Sequence, residues 1–400
     1  MPSSGAGHEG WITTTEAAQR LGVKRATLYA YVSRGQLRSE RRPGQQESLF
    51  DRAEIDAMAS NARMTSAPRT LLRFRSVASS ISSQVDGGLR YRGVPLDDVV
   101  ALGDVERAAR LVLGSPPDPA GMPQRRVHVD VSLARVVPRL PLERRMPVAV
   151  QLLAASDPFV GDTDPDRVRA AALAHVPAAV QLLGGAPRTR VGRAPEEHLD
   201  AALLRAVGGD PGAPGHVETM RALVVSLLDH GLTASTVAAR VAASTRAGLA
   251  DCLAAAYAAM AGPLHGAAPS AAYRLVADGT DPVAAVASSL REQGDVPGFG
   301  HFLYPDGDPR AELVLSFVWR LPGTEELRSR VEALAAVTAE RTGRLPNIDL
   351  ASAAALHALR LPAAAGEVVF QVARSFGVAA HVVEEYAEEP LRWRGRESVG

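Results

Sequence analysis

Helical periodicity interrupted by proline and glycine constrains the fold of this chain more than any other feature of its sequence. Apolar side chains recur at helical spacing over residues 218–230 and 236–260, and more weakly over 171–183, where Pro177 interrupts the pattern. Proline or glycine separates such stretches at residues 116–117, 138, 184–185, 208–209 and 211–215. Outside one short N-terminal segment, no alternating pattern is long enough for a major sheet, so we predict an all-α fold.

Size and charge narrow the class of protein. A chain of 400 residues with 46% hydrophobic side chains can bury a large core, and its length predicts two or three domains. Its 44 basic and 44 acidic residues balance. This balance excludes a chain that binds polyanions over its whole surface.

Cysteine content and the apolar pattern indicate a compartment. The single cysteine, Cys252, excludes an intramolecular disulfide and favours a packing role in a reducing environment. No window approaches about 18 uninterrupted apolar residues, and residues 1–10 lack the apolar core of a signal peptide. We therefore expect a cytoplasmic protein without membrane contact.

Residues 1–60 form a unit that differs from the rest of the chain. The pattern predicts a helix from residue 13, a second helix from residue 24, strands at 37–42 and 47–50, and a third helix at 52–58. The two strands would form a short hairpin. This arrangement resembles the winged helix-turn-helix of MerR and excisionase-type DNA-binding proteins.

Positive charge is concentrated in this N-terminal unit. Between residues 20 and 42 there are seven basic side chains and one acidic side chain, Glu40. One interpretation places the second helix in a major groove and the hairpin on phosphates. The candidate DNA contacts are then Lys24, Arg25, Thr27, Tyr29, Arg41 and Arg42. The alternative is a solvated helical face on a unit that serves assembly or binds another protein.

Three segments in the last third of the chain combine titratable side chains with glycine, proline or a turn. They lie at residues 261–267, 296–310 and 347–349, and a fourth such segment lies at 229–236. Glycine allows the backbone to approach a ligand closely, and such loops often carry binding sites. Two imidazoles and one carboxylate form an acid–base set, in which the carboxylate takes a proton from carbon and the imidazoles stabilise developing oxyanions.

In this order, the four segments resemble the citrate synthase family. Its DHGLNAST-like, GPLHG, GFGH…DPR and N-[VI]-D motifs are matched at residues 229–236, 262–266, 298–310 and 347–349. The resemblance extends to residues 79–93 and 392–394, and so covers about residues 70–400. It implies a homodimer of all-α subunits, each with large and small helical domains behind the winged helix-turn-helix. The implied boundaries are a linker at 61–70, a large domain at 71–267 and 363–400, and a small domain at 268–362.

The resemblance implies condensation of acetyl-CoA with oxaloacetate and hydrolysis of the resulting citryl thioester, without a permanently bound cofactor. Asp349 matches the base that removes a proton from the thioester methyl group, and its apolar neighbours Ile348 and Leu350 would raise its pKa by desolvation. His265 matches the hydrogen-bond donor to the thioester oxygen, and His301 matches the donor to the keto oxygen of oxaloacetate. On local sequence alone, Asp349 is equally typical of a helix N-cap.

Other positions match the family's ligand-binding residues. His230, Arg310 and Arg394 correspond to groups that hold oxaloacetate. For the two arginines, this role suits the two parallel donors of a guanidinium group. The segment expected beside coenzyme A consists of Val296, Pro297, Gly298, Phe299 and Gly300. Arg374 matches a family position but is equally typical of a structural ion pair, while packing or capping roles are favoured for His357 and His381. No metal site is predicted, since the histidines lack the spacing of a zinc cluster.

The chain departs from the family pattern after His301. Residues 302–305 read Phe-Leu-Tyr-Pro where the bacterial family has Arg-Val-Tyr-Lys, so the lysine that would reach the phosphates of coenzyme A is missing. Two other functions remain open. One is a 2-methylcitrate synthase that uses propionyl-CoA, since a single methylene group is worth only about 1–3 kcal/mol of discrimination. The other is a DNA-binding metabolite sensor built on the same fold.

Overall fold

The structure is a computed structural model of the chain. It describes residues 11–21, 23, 25–33, 37, 39–40, 48–51, 55, 77–116, 131–185 and 198–393. The chain divides into two compact units, Met1–Val77 and Ala78–Gly400. Among the sequence predictions, Lys24, Arg41, Arg42, Arg394 and the linker at 61–70 lie outside the described residues.

The first unit contains two helices and a small antiparallel sheet. Its elements are β1 (Trp11–Thr13), α1 (Thr14–Leu21), α2 (Arg25–Ser33), β2 (Ser39–Glu40) and β3 (Leu49–Asp51). Strand β3 lies between β1 and β2 and is antiparallel to both, so the two strands of the predicted hairpin pair with each other. Strand β1 was not predicted, because three residues are too few to show an alternating pattern. Ala17, Leu28 and Phe50 are fully buried in the core of this unit.

The second unit is mostly helical, as the sequence predicted. Its helices are α3 (Leu96–Val100), α4 (Val105–Leu113), α5 (Val131–Ala134), α6 (Leu142–Ala155), α7 (Pro165–Leu183), α8 (Leu199–Ala206), α9 (His216–Leu227), α10 (Ala234–Ser244), α11 (Leu249–Met260), α12 (Ala268–Ala277), α13 (Pro282–Gln293), α14 (Pro309–Val318), α15 (Glu325–Thr342), α16 (Ile348–Ala358) and α17 (Ala365–Tyr386). A small antiparallel sheet that was not predicted, formed by β4 (Ser82–Val85), β5 (Gly88–Tyr91) and β6 (Val94–Pro95), precedes α3. Among the described helices, none is both long and apolar enough to cross a membrane.

The predicted helical stretches are helices in the structure, with one additional break. Residues 218–230 correspond to α9, whereas residues 236–260 form the two helices α10 and α11. The break spans residues 245–248, where Arg246 has a positive φ of 65°, and at Gly248 a Cβ atom would be 2.1 Å from the carbonyl oxygen of Val160. Helix α7 runs through Pro177, because apolar residues on both sides of the proline are buried in the core.

Helix α17 is the most completely buried long helix among the described residues. Almost all of its 22 residues are inaccessible to solvent, and it packs against α7, α9, α10 and α11. Gly377 allows α17 to approach the end of α9, since a Cβ atom there would lie 2.2 Å from the carbonyl oxygen of Leu228. The segment after α9, which carries His230, is therefore supported by the core of the fold.

Candidate active site

One cleft in the second unit brings together the four segments that the sequence analysis selected. It has a volume of about 830 Å3, and its walls include the predicted residues His230, His265, Gly300, His301, Arg310 and Asp349. The fold collects these positions at the ends of helices. His230 follows α9, Arg310 lies in the first turn of α14, and Asp349 lies in the first turn of α16. This cleft is the candidate active site.

His230 lies against Tyr304 and His301. Its Nε2 atom is 2.9 Å from the hydroxyl oxygen of Tyr304, and its ring meets that of His301 edge-on, with 5.0 Å between the ring centroids. Burial, together with the charges of Arg310 and Arg374, lowers the pKa of His230. The imidazole is therefore neutral at pH 7 and acts as a hydrogen-bonding group.

His301 is held in a single tautomer. Its Nδ1 atom accepts a hydrogen bond from the backbone amide of Leu303 at 3.2 Å, so the ring proton of the neutral form is on Nε2. Burial, assisted by the charge of Arg310, lowers the pKa of His301 to about 4. At pH 7 the neutral ring can donate one hydrogen bond, from Nε2.

His265 is held in the opposite tautomer. Its Nε2 atom lies 2.7 Å from the hydroxyl oxygen of Ser235 and 3.4 Å from the backbone nitrogen of the same residue. Because an amide nitrogen only donates, Nε2 is the acceptor and the ring proton is on Nδ1. Burial, with a contribution from Arg374, lowers the pKa of His265 to about 4, so this ring is also neutral at pH 7.

Asp308 holds the guanidinium group of Arg310 in place, and one edge of this group makes no hydrogen bond to the described residues. Asp308 accepts hydrogen bonds from its Nε and Nη2 atoms at 2.9 and 2.7 Å, and the guanidinium carbon lies 5.4 Å from the ring centroid of Tyr304. Burial opposes the charge, but the carboxylate of Asp308 outweighs this effect and raises the pKa of Arg310. Within the described part of the chain Nη1 makes no hydrogen bond, so this edge is available to an anionic ligand.

Arg374 supplies a second buried guanidinium group on the wall of the cleft. It donates from Nε to the carbonyl oxygen of Leu227 at 3.0 Å and from Nη1 to the hydroxyl of Thr233 at 3.1 Å. No carboxylate in the described ranges forms an ion pair with it, so its partners there are neutral oxygens. Two buried cations in one cleft favour a ligand with more than one negative charge.

Asp349 lies in the first turn of α16, but it is not the helix N-cap. Asn347 has that role, and its side-chain oxygen accepts hydrogen bonds from the amides of Asp349 and Leu350 at 2.9 and 3.4 Å. No donor among the described residues reaches the Asp349 carboxylate. Burial raises the pKa of Asp349 to about 6, although the charge of Arg310 acts in the opposite direction. At pH 7 this carboxylate is mostly ionised and has a pKa suited to a general base.

A buried hydrogen-bond network supports the segment that carries His230. The Oδ1 atom of Asp229 accepts a hydrogen bond from Nε2 of His381 at 3.1 Å, and Nδ1 of His381 accepts one from Nη1 of Arg240 at 2.9 Å. The other carboxylate oxygen of Asp229 accepts from the amide of Gly231 at 3.0 Å. Burial would raise the pKa of Asp229, but His381 and nearby charges hold it well below its usual range. His381 is completely buried, so its position fits the structural role favoured from the sequence.

The segment expected beside coenzyme A lies only partly on the cleft. Gly300 lines the cleft, Pro297 lines a second cleft of about 480 Å3 beside α12 and α13, and Val296, Gly298 and Phe299 are buried. At Gly298 φ is +88°, and a Cβ atom would lie 2.9 Å from Cβ of Leu350. Glycine is therefore needed at this position for packing against α16.

Three residues that the sequence analysis did not select contribute to the site. Ser235 binds His265, Tyr304 binds His230, and Asn347 caps α16 while donating to the carbonyl oxygen of Gly300 at 2.9 Å. All three lie inside the selected segments. Their side chains are neutral at pH 7, so neither charge nor an imidazole ring distinguishes them in the sequence.

Three of the candidate DNA contacts lie on α2 of the first unit. The side chains of Arg25 and Tyr29 are exposed, whereas Thr27 is half-buried. Arg25 and Tyr29 are four residues apart, so they share one face of the helix. The described part of the first unit thus presents a basic and an aromatic side chain on a common face.

Among the described residues, one group of side chains of metal-ligand types lies outside the cleft. Side-chain atoms of Asp104, Glu106 and His198 lie within 4.8 Å of one another. Asp104 accepts from the amides of Glu106 and Arg107 at the start of α4, and Glu106 accepts from the amide of Leu199 at the start of α8. These hydrogen bonds join two helix starts, which accounts for the grouping in structural terms.

Comparisons with known proteins match both units of the chain. A family model described as "Citrate synthase, C-terminal domain" matches residues 71–396, and one described as "Helix-turn-helix domain" matches residues 11–63. A putative citrate synthase 2 of Mycobacterium tuberculosis is 30% identical over 330 residues, which are 75% of this chain and 84% of the relative. A 2-methylcitrate synthase of the same species is 29% identical over 325 residues, which are 76% of this chain and 82% of the relative.

The fold has counterparts among solved structures. One is the ternary complex of carboxymethyl coenzyme A and oxaloacetate with citrate synthase from Thermoplasma acidophilum. It matches with a TM-score of 0.68 at 23% identity, over 84% of this chain and 95% of that chain. At this level of identity the likeness shows the fold alone.

Proposed function

The chain belongs to the citrate synthase family of acyltransferases, and we propose that it condenses acetyl-CoA with oxaloacetate and water to give citrate and coenzyme A. The observation that carries this proposal is the carboxylate of Asp349. It is mostly ionised at pH 7, it receives no hydrogen bond from the described residues, and it shares one cleft with two neutral imidazoles in opposite tautomers.

In the first step Asp349 takes a proton from the methyl group of the thioester. This carbon acid is very weak, so the negative charge that develops on the thioester oxygen needs a donor. His265 can provide that donor, because its Nε2 atom is occupied by Ser235 and no acceptor among the described residues takes its Nδ1 proton. A neutral imidazole can donate this hydrogen bond and still keep its proton at pH 7.

In the second step the enol carbon attacks the keto carbon of oxaloacetate. The electron pair of the keto group moves to its oxygen, and the Nε2 proton of His301 is available to stabilise it. Arg310 and Arg374 attract the two carboxylates of oxaloacetate. His230, which is hydrogen-bonded to Tyr304, contributes a neutral hydrogen-bonding group to the same cleft. Water then cleaves the citryl thioester and releases the thiol of coenzyme A.

The test is oxaloacetate-dependent release of free coenzyme A thiol. Wild type and Asp349→Ala are compared with acetyl-CoA and with propionyl-CoA, and Glu326→Ala, an exposed carboxylate on α15, is the matched control. We expect turnover that is lost in Asp349→Ala and kept in Glu326→Ala. Folded wild type that releases no thiol from either thioester would contradict the proposal. The rate ratio of the two thioesters separates a citrate synthase from a 2-methylcitrate synthase, the function for which one of the relatives is named.

For the first unit we propose DNA binding through α2, in a homodimer that presents two copies of this helix. The support is the match to a helix-turn-helix model and the exposed face formed by Arg25 and Tyr29. Binding to a pool of random double-stranded DNA is measured between 50 and 200 mM salt, with the mass of the protein determined by light scattering. Wild type should bind with an affinity that falls as salt rises, and Arg25→Ala should bind more weakly. Salt-independent or undetectable binding would overturn this proposal.

Ligand dependence separates an enzyme from a metabolite sensor. If DNA binding changes with oxaloacetate or acetyl-CoA in Asp349→Ala as it does in wild type, the fold senses a ligand without catalysis. If turnover is lost and DNA binding is insensitive to both compounds, the two units act independently.

A further inference from the structure

Tyr304 contacts three of the groups that are proposed to act on oxaloacetate. Its hydroxyl oxygen is 2.9 Å from Nε2 of His230. Its ring centroid lies 5.0 Å from that of His301, with 33° between the planes, and 5.4 Å from the guanidinium carbon of Arg310. The side chain is buried, and the mechanism described above gives it no step of its own.

The hydrogen bond between Tyr304 and His230 has a direction that its surroundings determine. Among the described residues, the hydroxyl of Tyr304 has two hydrogen-bond partners, Gln84 and His230. Burial raises the pKa of Tyr304 to about 12, while the hydrogen bond with Gln84 acts in the opposite direction, as a bond donated to the phenolic oxygen does. If His230 donated as well, the phenolic proton would have no acceptor in the described part of the chain. A buried donor without an acceptor is costly, so Tyr304 donates to His230.

This direction fixes the tautomer of His230. Because Nε2 accepts the phenolic proton, the ring proton of the neutral imidazole is on Nδ1. No described residue takes a hydrogen bond from Nδ1, although His230 lines the cleft and is only 7% exposed. A carboxylate oxygen of a bound ligand would supply the missing acceptor. The opposite tautomer would turn a lone pair toward that oxygen and would bind it less well.

We propose that Tyr304 is a positioning residue of the oxaloacetate site, whose hydroxyl holds His230 in the tautomer that donates from Nδ1. Tyr304 acts through His230 and does not itself touch the substrate. Its ring supports His301 and Arg310, which lie within 5.0 and 5.4 Å of its centroid. The inference rests on the proposed function, because it takes the ligand to be oxaloacetate, whereas the tautomer is a property of the free enzyme.

The tautomer is measured without substrate, by nitrogen NMR of protein that is isotopically labelled in its histidine rings. Couplings to the ring protons show which nitrogen carries the proton, and His230→Gln identifies the signals of His230 by their absence. Wild type at pH 7 should have the proton on Nδ1. Tyr304→Phe keeps the ring but lacks the hydroxyl, so part of its molecules should have the proton on Nε2. A proton on Nε2 in wild type would overturn the proposal, whether or not the variants fold.

Kinetics test whether the tautomer serves oxaloacetate. In Tyr304→Phe the KM for oxaloacetate should rise about 3–10-fold, the loss expected for one hydrogen bond, while kcat and the KM for acetyl-CoA stay within about twofold. Tyr304→Leu also lacks the ring beside His301 and Arg310, so it should raise this KM further and lower kcat as well. An unchanged KM for oxaloacetate in Tyr304→Phe would contradict the proposal.

The matched control is Tyr386→Phe at the end of α17. The hydroxyl of Tyr386 donates to the carbonyl oxygen of Ala247, and the side chain does not line the cleft. This variant should keep the wild-type KM for oxaloacetate and the tautomer of His230. If it raises KM as much as Tyr304→Phe does, the effect is a general loss of a hydroxyl group and the proposal is wrong. If wild type has the Nδ1 proton but releases no thiol from any thioester, the proposed function fails while the tautomer is confirmed, so the two failures are distinguishable.

Discussion

Two segments of the cleft each carry an aspartate, and the surroundings of these two aspartates shift their pKa values in opposite directions. Asp229, after α9, is buried and accepts hydrogen bonds from His381, Ser82 and Gly231, and its pKa is held well below the usual range. Asp349, at the start of α16, receives no donor from the described residues, and burial raises its pKa to about 6. Burial acts in the same direction on both groups. The difference in hydrogen-bond donors decides that one carboxylate is structural and the other can act as a base.

The largest effect is expected from replacing Asp349, whose carboxylate accepts no hydrogen bond from the described residues. In Asp349→Asn, kcat for thiol release should fall by about 10³-fold or more, because an amide cannot take a proton from carbon. Stability should rise by about 2 kcal/mol at pH 8, since wild type must hold an ionised, desolvated carboxylate in the folded state. Urea unfolding at pH 8 and pH 4 measures this difference, which should shrink to a small fraction at pH 4, where the folded-state carboxyl is protonated and the unfolded-state carboxyl is about half protonated. A variant that is inactive and also less stable at pH 8 would contradict this account of Asp349.

The second largest effect is expected at Asp229, whose carboxylate accepts several hydrogen bonds. Asp229→Asn should lower the free energy of unfolding by about 3 kcal/mol, because it leaves buried donors with a poorer acceptor. The KM for oxaloacetate should rise as well, since Asp229 anchors the segment that carries His230. Asp98→Asn, on the exposed side of α3, is the control and should change neither quantity appreciably. Equal stability of Asp229→Asn and wild type would show that the two aspartates do not differ as argued.

The pH dependence of the wild-type enzyme tests the same comparison without a mutation. With its pKa raised to about 6, Asp349 loses its proton between pH 5 and pH 7. The value of kcat/KM should therefore rise about tenfold from pH 5 to pH 7 and level off above it. Asp229 does not change its protonation between pH 5 and pH 7, because its pKa lies far below this range, so it adds no further step to the pH profile. An activity that is constant from pH 5 to pH 7 would mean that Asp349 is not the base or is not buried in the enzyme.

The sequence predicted the parts of this molecule that depend on local pattern. Apolar periodicity located α9, and the four motifs selected six residues that meet in one cleft. The division of residues 236–260 into two helices was missed, because the apolar periodicity continues across the break at residues 245–248 and the backbone that packs against Gly248 belongs to Val160, far away in the chain. The short strands β1 and β4–β6 were missed because they contain too few residues for alternation to show.

The surroundings of the two aspartates could be predicted only in part. Desolvation of Asp349 was expected from its apolar neighbours Ile348 and Leu350, and the raised pKa agrees with it. The partner that keeps Asp229 ionised, His381, is 152 residues away, on a helix whose approach depends on Gly377. Contacts of this range arise from tertiary packing, which a local pattern does not contain.

The smallest expected effect extends the comparison from carboxylates to imidazoles. Hydrogen-bond donors make Asp229 a structural group, and the hydrogen-bond partner of each imidazole likewise decides which of its nitrogens can donate to a ligand. Leu303 occupies Nδ1 of His301, and Ser235 occupies Nε2 of His265. In Ser235→Ala only the longer contact from the backbone amide, 3.4 Å, still favours the proton on Nδ1 of His265. A part of the molecules then has the wrong tautomer, so kcat should fall about 3–10-fold, while KM for oxaloacetate, which His265 is not proposed to bind, stays within about twofold. Ser235→Thr keeps the hydroxyl and should restore most of the activity. If Ser235→Ala instead raises KM for oxaloacetate and leaves kcat unchanged, the hydroxyl supports the substrate segment and not the tautomer, and the proposed donor role of the His265 Nδ1 proton loses its structural basis.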